Sequence, residues 1–92
     1  MLKTCPKYYR SLLPVKNPGG VKAFGEHLRR LREQRGMSQV ELADYANVSN
    51  VTVHRIETAQ FAATIDVLLS LTKALQIPLH ELVKVPGMEE AD

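Results

Sequence analysis

Apolar residues recur three and four positions apart along this chain, in runs that are interrupted at polar or glycine stops. Phe24, Leu28 and Leu31 lie four and three apart, the stripe of an amphipathic helix. That pattern predicts a first helix from Val21 or Lys22 to Arg35, with Gly36 as its left-handed stop. Leu42, Ala43 and Ala46 mark a second, shorter stripe, with small residues that let another helix approach closely. Val53 and Ile56 mark a third. Leu68, Leu71 and Leu75 mark a fourth, with Ile65 and Ala74 beside it, and Leu79 and Leu82 dock a fifth that opens at Ile77-Pro78. The stops carry their own chemistry. Ser38 with Glu41 forms a Ser-x-x-Glu capping box, and Ser49 and Thr64 are further N-caps, with Asp66 favourably placed in the first turn after Thr64. Asn47 suits the sharp turn between the second and third helices, and Val48 plugs that corner. Helices this short need a shared core to persist.

Residues 38–57 carry the pattern Ser-Gln-x-x-Leu-Ala-x-x-Ala-x-Val-Ser-x-x-x-Val-x-x-Ile-Glu, two short helices joined by a tight turn. This stretch resembles the phage-repressor (Cro-like, XRE) family of helix-turn-helix DNA-binding proteins. The likeness runs from about Phe24 to Leu82, through Leu-Arg-x-Leu-Arg-Glu-x-Arg-Gly-Met-Ser-Gln before the motif and Leu-Leu-x-Leu-x-x-Ala-Leu-x-Ile after it. It implies an all-α, lambda-repressor-like fold, a compact five-helix bundle whose third helix lies in the DNA major groove. It also implies roles. Gln39 matches the family's phosphate-contacting glutamine, and Ser38 with the N–H groups of that helix start can join it. Arg32 matches an arginine that pairs with the glutamate closing the motif, here Glu57; the plain reading of Arg32 is an exposed helix charge, and the flanking pattern favours the pair.

Asn50, Val51, His54 and Arg55 occupy the outer side of the third helix. Their chemistry suits base edges: asparagine can pair with N6 and N7 of adenine, arginine with O6 and N7 of guanine, and a valine can pack on a thymine methyl. His54 can donate to a base or phosphate. The plain reading of this face is solvation, against which stands an apolar Val51 among polar neighbours.

The loop after the motif departs from the resemblance. Thr58-Ala59-Gln60-Phe61-Ala62-Ala63 holds no charge, has Ala59 where the family starts with glycine, and contains an aromatic. The family's phosphate contacts from this loop are therefore in doubt. Phe61 has three available fates: burial against the fourth helix, a partner contact or a contact with DNA sugars. Burial is the commonest for phenylalanine. Thr72 and Gln76 also stand where the family prefers alanine and glycine.

Composition sets outer limits. Ninety-two residues, 45% apolar and 24% charged, make one ordinary globular domain. The division expected is a basic arm over residues 1–21, a helix-turn-helix domain over 22–85 and an acidic tail over 86–92. The arm carries Lys3, Lys7, Arg10 and Lys16 without an acid, and also Pro6, Pro14, Pro18, Gly19 and Gly20, which leave no room for a long helix. Tyr8 to Leu13 reads equally as a short strand or one helical turn, and the arm as a disordered segment, a dimerisation element or a lid. Net charge is +2, with the basic front suited to a polyanion and the acidic rear to solvent.

No apolar run is long enough for a membrane span, and the first residues lack a signal-peptide core. Cys5 is alone, and His27, His54 and His80 have no metal-ligand spacing. No phosphate-cradling loop or nucleophile–base pair stands out, so neither catalysis, cofactor nor metal is expected. With no appended ligand domain, no small effector is expected either. The expectation is a cytoplasmic, sequence-specific binder of double-stranded DNA, a small transcriptional regulator acting as a homodimer. The alternative is an antitoxin or partner-binding module that uses this fold mainly to hold another protein.

Overall fold

The structure is a computed structural model and describes residues 16–86. Within them the chain is all helical: α1 Pro18–Gln34, α2 Gln39–Ala46, α3 Asn50–Glu57, α4 Ile65–Leu75 and α5 Leu79–Val83. The arm up to residue 15 and the acidic tail from residue 87 lie outside the described residues.

α1 starts at Pro18, ahead of the expected Val21 or Lys22. Pro18 sits in the first turn, where its missing N–H has no helical partner to lose and its fixed φ is already helical. Gly19 and Gly20 follow it into the helix, and Val21 N–H closes the first bond on the Asn17 carbonyl at 3.0 Å. A proline at this position starts a helix instead of breaking one.

The other starts are capped by side chains. Ser38 Oγ accepts from Glu41 N–H at 3.0 Å, and Glu41 Oε1 accepts from Ser38 N–H at 2.8 Å, the reciprocal capping box. Ser49 Oγ accepts from Thr52 N–H at 3.0 Å and Thr64 Oγ1 from Val67 N–H at 3.2 Å. The ends are equally uniform. Gly36, Asn47, Ala59 and Gln76 all have φ between 59° and 70°, and each is followed by a residue whose N–H reaches five positions back. Those bonds are Met37 to Arg32, Val48 to Ala43, Gln60 to Arg55 and Ile77 to Thr72, the Schellman arrangement. Met37, Val48 and Ile77 then fold onto the core, as the motif's hydrophobic contact requires.

The core is Leu28, Leu42, Val53, Ile56, Leu71, Leu75 and Leu82, all essentially inaccessible, with Ala43, Ala46 and Ala74 filling the close contacts. Phe24, Leu31, Phe61 and Leu68 are half-buried around it. Two expectations need correction. Ile65 is 65% exposed and Leu79 38%: each is the first residue of its helix, at the edge of the bundle, and neither joins the buried core.

Two features fix α3 against α1. Gly25 is buried where the end of α3 crosses it. A Cβ there would collide with the Ile56 carbonyl oxygen and stand 3.0 Å from that of Glu57, so only glycine permits this approach. Two turns further on, Arg32 donates Nε to Glu57 Oε2 at 2.7 Å and Nη2 to Oε1 at 3.0 Å, a two-pronged ion pair. Arg32 Nη1 donates to the Met37 carbonyl at 2.8 Å, and Gln39 Nε2 to Glu57 Oε1 at 2.9 Å. The Glu57 side chain is 2% exposed and that of Arg32 10%. Hydrogen bonding to Glu57 raises the Arg32 pKa above its already high ordinary value, against the lowering effect of burial, so the guanidinium stays charged. In the middle of α1, buried His27 meets the Glu81 carbonyl through Nε2 at 3.2 Å and so ties in α5. No buried side-chain nitrogen or oxygen among the described residues lacks a partner.

Three stability outcomes follow, each read from urea or thermal unfolding. Glu57→Gln strands a buried guanidinium and costs about 3–5 kcal/mol, whereas Arg32→Met with Glu57→Leu removes both charges and is less damaging than either single change. An unchanged urea midpoint in Glu57→Gln would contradict the pair's role. Gly25→Ala costs about 1–3 kcal/mol by overpacking against backbone that cannot yield cheaply. Ala59→Gly and Gln76→Gly relieve left-handed backbone and each raise stability by up to about 1 kcal/mol; destabilisation by both would overturn that assignment.

Candidate nucleic-acid interface

α3 divides along its length into two arcs. Val53, Ile56 and Glu57 turn inward and are buried. Asn50, Val51, His54 and Arg55 span the outward arc, and all four are exposed, Val51 at 49%. The two arcs interleave as 3.6-residue geometry demands. Because the inward arc is locked by the core, by Gly25 and by the Arg32 pair, the outward arc is presented on a fixed rod. The four sequence-selected residues are therefore brought onto one surface.

The helix that carries them is closed tightly at both ends. At its start Ser49 Oγ and Thr52 Oγ1 lie 2.9 Å apart in addition to the cap. At its end Thr58 Oγ1 donates to the His54 carbonyl at 2.7 Å, and Gln60 Nε2 donates to Thr58 Oγ1 at 2.9 Å. Gln60 N–H also takes the Arg55 carbonyl at 2.8 Å. The loop that lacks charge thus spends its polar groups on finishing α3. Phe61 packs half-buried against the core and lines an open apolar groove of about 320 Å³ with Val21, Phe24, Leu68 and Val83.

Ser38 and Gln39 stand at the start of α2. The Ser38 oxygen is occupied as a cap acceptor, which leaves its O–H free to donate. Gln39 is half-buried, with one amide N–H on Glu57. The structure therefore brings Gln39, Arg32 and Glu57 into one bonded group, while Ser38 belongs to the capping box beside it. Arg29, on the outside of α1, pairs with Glu33 at 3.1 Å in the exposed i,i+4 manner and adds little.

Sequence reasoning missed Gly25, Thr52, Thr58 and the Gln39–Glu57 bond. A glycine between Phe24 and Leu28 inside a helical stripe is a readable sign of close packing. The others depend on rotamers that spacing alone does not reveal. Among the described residues no group of three or more His, Cys, Asp or Glu could hold a metal ion, and no helix is long and apolar enough to cross a membrane.

Comparison with known proteins places this geometry. The model of the helix-turn-helix family matches residues 28–82. The transcriptional regulator PrpR of Mycobacterium tuberculosis is 37% identical over 67 residues, covering 73% of this chain and 14% of the relative. The transcriptional repressor RghR of Bacillus subtilis is 38% identical over 74 residues, covering 76% of this chain and 53% of the relative. This chain thus spans between a seventh and about half of the length of these two relatives. Among solved structures, the restriction-modification controller protein C.AhdI from Aeromonas hydrophila superposes with a TM-score of 0.66 at 34% identity, covering 67% of this chain and 94% of that one. The clp gene regulator ClgR from C. glutamicum gives 0.69 at 24% identity, covering 78% and 94%, a likeness of fold. With its core, capped motif and outward arc in place, the chain belongs to the helix-turn-helix family.

Proposed function

We propose that this domain represses transcription by holding a near-palindromic duplex site as a two-fold dimer, with α3 of each copy in a major groove. The observation that carries the reading is the outward arc of α3. Asn50, Val51, His54 and Arg55 supply a bidentate adenine partner, a methyl contact, a donor and a bidentate guanine partner on one rigid face. Ser38 O–H and the Gln39 amide supply phosphate contacts at the start of α2, which set register without reading sequence. A cytoplasmic location is part of this reading.

One α3 reads too few base pairs for a genome, and two roughly 34 Å apart meet successive major grooves on one side of the duplex. The exposed apolar residues Ile65 and Leu69 on α4, with Leu79 and Val83 on α5, favour α4 and α5 as the dimer elements. Each pair is four residues apart on its helix, so each forms a short stripe. A second reading, a module that holds another protein, draws on the Phe61 groove and its apolar walls; a partner that co-purifies in fixed ratio would favour it.

Selection of duplexes from a random pool tests the proposal directly. Affinity for a selected duplex falls steeply with salt because phosphate contacts release counterions. Asn50→Ala and Arg55→Ala each lose about 1–3 kcal/mol of binding and relax preference at one base pair. The absence of binding to any duplex at low salt would remove the reading. Leu79→Asp combined with Val83→Asp yields a folded monomer by light scattering that binds the full site weakly. If that variant remains dimeric, α5 is not the contact.

A further inference from the structure

The ion pair that braces the fold also reaches the surface assigned to DNA. Glu57 accepts three N–H bonds, two from Arg32 at 2.7 and 3.0 Å and the third from Gln39 Nε2 at 2.9 Å. An ionised carboxylate can only accept, so the Gln39 amide must turn its nitrogen inward. That nitrogen carries two hydrogens in one plane. One is spent on Glu57, and the other takes no partner within the described bonds of this residue. Gln39 opens α2 and is half-buried, so this second hydrogen lies at the helix start. A glutamine without the carboxylate would rotate freely and present oxygen or nitrogen outward with similar ease. Arg32 strengthens the arrangement from the other side, because its Nη1 holds the Met37 carbonyl at 2.8 Å, two residues before Gln39.

We infer that Glu57 is a positioning residue for DNA binding: by holding one amide hydrogen of Gln39 it aims the other at a backbone phosphate. The inference rests on the DNA-binding reading above. One carboxylate then sets the distance between a phosphate contact on α2 and the reading residues His54 and Arg55, which precede Glu57 on α3. A backbone contact that fixes register is useful only if it is rigid with respect to the bases being read. An aspartate would fall a methylene short of Gln39, and a glutamine would lose one of the two acceptor oxygens.

The test uses the full chain and a selected duplex in which each phosphate in turn is replaced by a neutral methylphosphonate. In the native protein the phosphate facing Gln39 in each half-site carries a penalty on the order of tenfold, the loss of a charge-assisted hydrogen bond. Gln39→Ala loses that penalty. Arg32→Met with Glu57→Leu removes the carboxylate without stranding a buried charge. Melted first to establish that it is folded at the assay temperature, this variant loses the same penalty. A purely structural role for Glu57 would lower the melting temperature and leave the phosphate profile untouched, which would overturn the inference. A penalty that survives in Gln39→Ala would overturn it as well.

A second readout needs no variant. The two Gln39 amide protons resolve separately by NMR, and duplex addition shifts the outward one while the one on Glu57 stays in place. If neither proton moves on a duplex that binds, the inference fails and the DNA reading stands. If the native protein selects no duplex at all, both fall together.

Discussion

Everything that α3 presents depends on one buried charge contact. Arg32 and Glu57 sit 25 positions apart, and their side chains meet with little access to water. Taking two charges out of solvent is expensive, and the attraction recovers it only where every remaining donor and acceptor is also satisfied. Here that condition holds: the guanidinium has the Met37 carbonyl, and the carboxylate has the Gln39 amide. An apolar contact of the same size would hold α1 and α3 together but would tolerate sliding and rotation. A two-pronged pair does not, because both nitrogen–oxygen alignments must be kept at once. Gly25 adds a steric limit to this directional one, since the α3 backbone approaches α1 there more closely than any side chain allows.

The helix termini complete the same design on a local scale. α3 has eight residues, too few to be stable on its own propensity. Its start is held by Ser49 and Thr52, its end by Thr58 and Gln60, and its middle by Val53 and Ile56. The uncharged loop that follows thereby has a structural purpose. Its polar groups terminate α3, and Phe61 closes the core beside Phe24.

Much of this was readable in the chain, and the exceptions have physical reasons. Ser38, Glu41, Ser49 and Thr64 declare their caps because the chemistry is local, within three residues. The inward residues of α2 and α3 follow from spacing alone. Pro18 is illegible as a helix start because proline breaks helices everywhere except the first turn, and periodicity cannot say which turn is first. Ile65 and Leu79 were placed inward because apolar residues at helix starts look like core. The bundle is small, however, and its outer faces keep apolar surface exposed. Ala59 and Gln76 adopt backbone that glycine would hold with less strain, and the closure of four ends by the same motif outweighs that penalty. The contact between Gln39 and Glu57 joins residues 18 positions apart and depends on side-chain rotamers that no linear pattern encodes.

The two arcs of α3 also separate what the helix inherits from what it can exchange. Folding draws on Ser49, Thr52, Val53, Ile56 and Glu57, and none of these belongs to the outward group Asn50, Val51, His54 and Arg55. Replacing exposed helix residues away from caps and core generally alters stability by only about 0.5 kcal/mol in either direction. The scaffold is therefore nearly indifferent to the wording on its outer face. Descendants of one such domain can change the chemistry of this face by surface substitution alone, each passing through folded intermediates.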